Sequence, residues 1–373
     1  MIIVLIIIII LLLLLYGVDI TFYIKKRYCR FHIGRMDEKA WRAAVEKTAK
    51  KWVRHTPVVK KNDNSRYVLI DMIKGEYRDS SIQAFQTASL LLGVIEATGK
   101  DYTEQFIRNG NWIKLSEQPD SAMLAYALLK SSDNKQSLES AMDEVYFVLG
   151  KASDENGLIA YTGNADDTAR YVDVLGMVCP FLAKYGITYN HPEAVNQSFK
   201  QLEFYHENGL YSGTALPNHA INVKTKLPLG VYGWGRGTAW YIIGLMDTYK
   251  EFPSGEKKET LKCWIKEAAE RLGSFQYNDG GFGYILQKDN SFDSSVTSAM
   301  AWFYSECSLL FKEKSYETIA KKALERLRKA TRITGAIDWS QGDTKGIGVF
   351  SQTFDIMPFT QGFTLRAIYT KDR

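Results

Sequence analysis

The sequence predicts an all-α domain of helical hairpins behind one membrane-length apolar helix. Three observations lead there. Residues Ile2 to Ile24 are apolar except for Gly17, Asp19, Thr21 and two tyrosines. From Met36 to Arg373 one helical pattern follows another, about twelve in all, with few sustained alternating runs. Finally, a unit recurs. Gly157-Leu-Ile-Ala-Tyr161 leads into Asp166 to Gly186, and Gly209-Leu-Tyr211 into a helix opening Trp234-Gly-Arg-Gly-Thr-Ala-Trp240. Gly281-Phe-Gly-Tyr284 leads into Asp293 to Trp302, and Gly346-Ile-Gly-Val-Phe350 into Pro358 to Leu365. Each time a glycine/aromatic loop precedes a helix whose first turn carries polar or aromatic groups. The spacing of roughly 50–70 residues belongs to repeat architectures and brings the helix starts to one end, around one pit. Periodicity does not distinguish a closed ring from an open solenoid.

The apolar run of twenty-three residues spans roughly 34 Å as a helix, enough for a bilayer core. A cleaved signal peptide needs a positive n-region and a small-residue cleavage site, and the run shows neither. A membrane anchor over residues 1–24 is therefore expected, then a basic juxtamembrane segment at 25–35 and one domain over 36–373. Lys25, Lys26, Arg27, Arg30 and Arg35 follow the span and no Lys or Arg precedes it. The positive-inside tendency then favours a cytoplasmic domain. The widely spaced Cys29, Cys179, Cys263 and Cys307 suit reduced thiols. Most of the net charge of +5 lies in the first 35 residues, leaving no electrostatic case for nucleic acid.

Along the domain, Met36 to Arg54 reads as an amphipathic helix and Tyr67 to Ile70 as a short strand-like piece. Ser80 to Thr98 is a helix stopped by Gly99, and Tyr102 to Trp112 another. Pro119 suits a first helical turn and sets Asp120 at a helix start. Lys135 to Lys151 follows as a helix, and then the repeating units. Asp173 sits near the start of its helix, where a carboxylate either complements the dipole or faces a ligand.

The phosphate-loop and nucleophile-elbow patterns are absent from the sequence, and His32, His55, His191, His206 and His219 lack the close helical pairing of a zinc site. Carboxylates, aromatic rings and Arg236 remain, a set suited to sugar chemistry, in which a proton donor works beside a second carboxylate.

Tyr171-Val-Asp-Val-Leu-Gly-Met-Val-Cys-Pro-Phe-Leu-Ala-Lys-Tyr-Gly186 resembles a block of the unsaturated glycuronyl hydrolases, six-hairpin glycosidases acting on unsaturated glucuronyl and rhamnogalacturonyl sugars. Trp234-Gly-Arg-Gly-Thr-Ala-Trp240 is similar to their Trp-x-Arg-Gly-x-x-Trp motif, with Thr238-Ala239 where one branch has Asn-Gly. Gly342-Asp-Thr-Lys-Gly-Ile-Gly348 and Pro358-Phe-Thr-Gln-Gly362 resemble their C-terminal blocks. The matches cover most of Asp120 to Ile368. An anchor joined to such a domain also resembles a divergent branch from exopolysaccharide-biosynthesis clusters.

The resemblance implies an (α/α)6 barrel and a reaction with neither metal nor cofactor. Its substrate is an oligosaccharide or polysaccharide ending in a C4=C5-unsaturated uronic acid. Protonation at C4 and addition of water at C5 give a hemiketal that opens. Carried over by motif, Asp173 is the acid/base and Asp120 its partner. Arg236, Trp234, Trp240 and His219 bind substrate; repeat logic, not the resemblance, adds Asp293 as a further substrate-binding residue and sets Trp302 at the pit. Bland alternatives stand beside these: Arg236 paired with Asp166 or Asp167, and Asp293 as a helix cap. A non-catalytic glycan-binding protein of exopolysaccharide assembly would use the same aromatics and arginine. A sugar epimerase would need pit histidines, of which only His219 is plausibly placed. Oligomeric state and sugar identity are not encoded in these patterns.

Overall fold

A computed structural model describes residues 2–54, 57–60, 70, 73, 77–79, 84–100, 119–288, 291–344 and 346–371. The expected strand-like stretch from Tyr67 and the helix from Tyr102 to Trp112 fall outside those residues, Ile70 apart. Among the described residues the helices are α1 (Ile2–Phe31), α2 (Glu38–Arg54), α3 (Ala84–Thr98), α4 (Ser121–Ser131), α5 (Glu139–Lys151) and α6 (Asp173–Thr188). They continue with α7 (Pro192–Asn208), α8 (Gly235–Glu251), α9 (Glu256–Leu272), α10 (Ser294–Phe311), α11 (Lys314–Lys329) and α12 (Pro358–Lys371).

Six of these pack side by side in a cycle: α3 on α4, α4 on α6, α6 on α8, α8 on α10, α10 on α12, and α12 back on α3. The ring is closed, which periodicity had left open. Behind it, among the described residues, stand five outer helices, α2, α5, α7, α9 and α11, and the architecture is an (α/α)6 toroid. The sequence explains the two layers. Inner helices such as α6 and α10 are apolar or small almost all round, and nearly every residue is buried. Outer helices such as α11 bury only the stripe Tyr316, Ala320, Ala323, Leu324 and Leu327 and leave a charged face to solvent.

At the seam where the first described inner helix meets the last, two glycines let backbones touch. A Cβ on Gly93 would meet the Gly362 carbonyl oxygen at 2.5 Å, and one on Gly362 would overlap the Ser89 carbonyl. Arg366 of α12 ties the same seam at the other end of the helices. It donates to Asp247 of α8 at 2.7 and 2.9 Å and to Glu96 of α3 at 3.0 Å, all three side chains being buried. Against the penalty of burial, the charges of Arg366, Lys250 and Lys130 hold Glu96 down to about 2.

Among the described residues three small antiparallel sheets decorate the ring. They are β1 (Val58–Lys60) with β2 (Tyr77–Asp79), the sheet β3 (Ala169–Tyr171), β4 (Asn218–Asn222) and β5 (Pro228–Tyr232), and β6 (Ser340–Gln341) with β7 (Phe354–Asp355). The polar stretch from Asp166 thus holds the short strand β3, and the helix that follows begins at Asp173, near whose start it was expected.

Helix α1 is long and apolar enough to cross a membrane, with mean hydropathy 3.2 over its best window and none of that window buried. It runs unbroken through the basic residues to Phe31. Its last turns reach the β6–β7 ribbon, where Arg30 pairs with Asp338 at 2.7 Å and Lys26 with Asp355 at 3.2 Å.

Candidate active site

The N-terminal ends of the inner helices converge on a cavity of about 280 Å³, lined from the first turns by Phe85 of α3, Asp173 of α6 and Arg236 of α8, with Asp120 just ahead of α4. Convergence follows from topology: inner helices of a hairpin ring run the same way, so their starts share one end.

Asp173 opens α6. Strand β3 pairs with β4 with Tyr171 opposite Ala220, and Val172 N donates to the His219 carbonyl at 3.1 Å. That ladder brings His219 beside Asp173, with Nε2 to Oδ2 at 3.9 Å. Asp173 is buried, and its Oδ2 has no hydrogen-bond partner among the described residues. Burial pushes its carboxyl up to about 7; Arg236 opposes the rise and Asp343 adds to it. Asp120 makes no cap hydrogen bond to α4. Burial and the neighbouring Asp343 push it up to about 6, against its own and Ser121's backbone N–H. Two carboxyls whose charged forms are disfavoured thus line one cavity, the condition for holding a proton near neutrality.

Arg236 lies in the wall. Nη1 donates to the Gln341 carbonyl at 2.5 Å and Nη2 to that of Gly342 at 2.7 Å, with Asp343 Oδ1 3.6 Å away. Asp166 and Asp167 are not its partners; the Asp167 carboxylate accepts from Thr162 and the Ala169 N–H. Its terminal nitrogens are engaged with protein, so it reaches the cavity through its charge more than through its fork.

Trp234 and Trp240 both line the cavity. Trp234 donates to Gln341 Oε1 at 3.1 Å and lies against His219 and Phe350, with centroids at 4.6 and 5.3 Å. Trp240 meets Phe85 and Phe359 edge-on at 5.5 and 5.0 Å. His219 Nδ1 accepts from Gly348 N at 3.3 Å, and burial, with Arg236, pushes the ring down to about 4. The imidazole is neutral and carries its hydrogen on Nε2, toward Asp173.

Asp293 and Trp302 stand apart from the cavity lining. Asp293 caps α10, accepting from Ser295 N and from Gln341 N at 2.8 and 3.0 Å. Trp302 is buried against Phe363 and Arg366. Both expectations of pit residues came from repeat logic, which fixes the turn of helix but not the direction of the side chain.

Sequence reasoning missed Asp343 as a site residue, although its loop was conspicuous. It also missed Tyr161, whose hydroxyl is kept protonated by burial and by Asp120, Asp173 and Asp343 around it. Tyr161 was visible in the loop Gly157 to Tyr161 that opens the repeated unit. Among the described residues no cluster of His, Cys, Asp and Glu is arranged to hold a metal ion.

The Glycosyl Hydrolase Family 88 model matches residues 77–367 of this chain. Among solved structures, the fold is similar to a possible member of the GH105 family from Salmonella enterica, at 15% identity and TM-score 0.73, covering 90% of this chain and 94% of that one. It is also similar to the unsaturated glucuronyl hydrolase of Bacillus sp. GL1, responsible for the degradation of glycosaminoglycan, at 18% identity and TM-score 0.64 over 89% and 96%. An unsaturated glucuronyl hydrolase specific for heparin is similar at 14% identity and TM-score 0.64 over 89% and 96%. Among curated proteins none matches the sequence.

Proposed function

The chain belongs to glycosyl hydrolase family 88, and from that premise we propose that it hydrates a terminal unsaturated uronyl residue of an oligosaccharide or polysaccharide, with Asp173 as acid and Asp120 as partner carboxylate. The observation that carries this reading is the buried Asp173 Oδ2, without a hydrogen-bond partner among the described residues, in a cavity shared with Asp120. A carboxyl held protonated near neutrality is what proton delivery to carbon needs.

In this reading the Asp173 proton goes to C4 and the C4=C5 π electrons form the new C–H bond. Positive charge develops at C5 and the ring oxygen, beside the Asp120 and Asp343 carboxylates. Water adds at C5 and gives a proton to Asp120. The hemiketal then opens: the C5 hydroxyl becomes a ketone as the bond from C5 to the ring oxygen breaks, leaving that oxygen as a hydroxyl on C1. The C1 hemiacetal so formed collapses to an aldehyde as the glycosidic oxygen leaves protonated. His219 Nε2–H, 3.9 Å from Asp173, steadies the carboxylate once its proton is gone. Trp234 and Trp240 present ring surface to the sugar. Incubation with lyase-generated unsaturated disaccharides tests the reaction: the far-ultraviolet absorbance of the conjugated double bond falls with time. Constant absorbance across uronides of several linkages would overturn it.

We further propose that the substrate belongs to exopolysaccharide metabolism, and that α1 is a membrane anchor with the domain on the cytoplasmic side; the resemblance of the anchored arrangement and the length and apolarity of α1 support that reading. The basic flank from Lys25 to Arg35 supports that side. A C-terminal alkaline phosphatase fusion that is active in cells would reverse the assignment.

A further inference from the structure

We infer that the last turn of α1 is a positioning element of the pit, acting through Arg30 on the segment that carries Gln341, Gly342 and Asp343. Arg30 donates from Nε and Nη2 to the two oxygens of Asp338, at 2.9 and 2.7 Å, across a sequence separation of 308 residues. The same Nη2 donates to the Phe354 carbonyl at 2.8 Å, and the guanidinium lies 3.9 Å over the ring of Trp339. Asp338 is wholly buried, and Arg332 also donates to it, at 2.8 Å.

These contacts fall at one end of the β6–β7 ribbon, where Ser340 pairs with Asp355 and Gln341 with Phe354. Arg30 therefore grips the chain just ahead of one strand and a residue within the other. Between Asp338 and β6, Trp339 adopts φ +70°, a conformation that a bulky L residue holds only when its surroundings impose it. The guanidinium over its ring is part of that imposition.

The ribbon leads straight into the site. The Gln341 and Gly342 carbonyls fix Arg236, Gln341 Oε1 holds Trp234, and Asp343 lies 3.6 Å from Arg236. A membrane anchor needs only a tether. A two-pronged ion pair, a carbonyl contact and a stacked tryptophan make α1 continuous with the wall of the pit instead.

The inference rests on the catalytic reading of that pit, and the test separates the two. Full-length protein in detergent is assayed on an unsaturated uronide as wild type, Arg30→Ala, Arg30→Lys and Arg27→Ala. Arg27 is exposed on the same helix, with Nε on Tyr23. Arg30→Ala is expected to lower kcat by about tenfold with a smaller change in KM, and to shift the pH profile, because Asp343 rides on the loosened segment, Arg236 of α8 is held by its carbonyls, and both act on Asp173. Arg30→Lys restores part of kcat, since it keeps the charge without the fork, and Arg27→Ala behaves as wild type. Hydrogen exchange at Gly342, whose N–H donates to Thr353 at 2.9 Å, quickens in Arg30→Ala whatever the substrate. Unchanged kcat, pH profile and exchange in Arg30→Ala, even with a lower Tm, would overturn the positioning role. If the wild type turns over no unsaturated uronide while exchange still quickens, the reaction is misassigned and the positioning role stands.

Discussion

Asp173 Oδ2 stands 3.9 Å from His219 Nε2, and the two belong to different elements joined by the β3–β4 ladder. Because His219 Nδ1 accepts from Gly348, Nε2 is the protonated nitrogen of a neutral ring. The pair is therefore one-directional: an Nε2–H facing the carboxyl favours an ionised Asp173, while the Oδ2 of a protonated one has no hydrogen-bond partner among the described residues.

The first prediction concerns pH. Asp173 must be protonated to act as acid and Asp120 ionised to take a proton from water. Their values of about 7 and about 6 predict a bell-shaped kcat/KM, falling below about 6 and above about 7. A rate that rises steadily to pH 9 would contradict the assignment.

Asp173→Asn removes the acidic proton while keeping the side chain's size. A loss on the order of 10²–10⁴ in kcat is expected, with the circular dichroism of the fold unchanged. Asp120→Asn should be comparably severe. Full activity in either variant, measured by loss of the double bond, would remove that residue from the mechanism.

The same substitutions should stabilise the protein at alkaline pH. Both carboxyls have folded-state values raised above their ordinary 3.8, so folding favours their protonated forms. The stability they contribute is fully present below about pH 4 and is lost as pH rises through 6 and 7. Asp173→Asn lacks this loss. Its Tm should exceed that of wild type at pH 8 by a few degrees and converge with it near pH 4. Equal melting curves at pH 8 would show that burial does not disfavour the charge.

Arg236→Lys cannot hold the Gln341 and Gly342 carbonyls with one ammonium in the way the fork does, and kcat is expected to fall roughly tenfold. Its charge remains, so the alkaline limb stays near its place. Arg236→Met removes the charge that opposes the rise of Asp173, and the alkaline limb should move up. A limb that moves down, or stays, would show that Arg236 does not act on Asp173.

Gly362→Ala tests the seam. The added Cβ overlaps the Ser89 carbonyl, which is backbone and cannot swing aside. Separating α3 from α12 to relieve it is expected to destabilise by about 3 kcal/mol, read as a Tm drop of about 4 °C for a domain of this size.

Helix number, the Gly99 stop and the order of the motifs were legible because they depend on local periodicity and glycine, which act within a turn or two. Asp173 at the start of α6 was legible from the change of polar residues to an apolar run, whereas β3 ahead of it was not, because Ala169 to Tyr171 is too short to show alternation. Asp120, Asp173, Trp234, Trp240 and Arg236, singled out by motif, and His219, singled out by its loop, line one cavity in the fold. What motif spacing did not reveal was how a charge is spent. Arg236 turns to two carbonyls, and Asp293 to Ser295 and Gln341. Arg30, read as a topology signal, is consumed by Asp338. Those partners lie 105, 48 and 308 residues away in the long-range cases, beyond any local pattern.

The seam between α3 and α12 also sets a timetable for synthesis. The buried face of α3, Leu90 to Val94, is covered by a helix whose Gly362 lies far downstream in translation. At about 5–20 residues per second the interval between the two is roughly 10–60 s. Throughout it the nascent ring is an open crescent with an uncovered apolar edge, and Glu96 and Asp247 await the guanidinium that joins them. Closure of the ring therefore waits on α12, and until then the apolar edge of α3 is open to other partners.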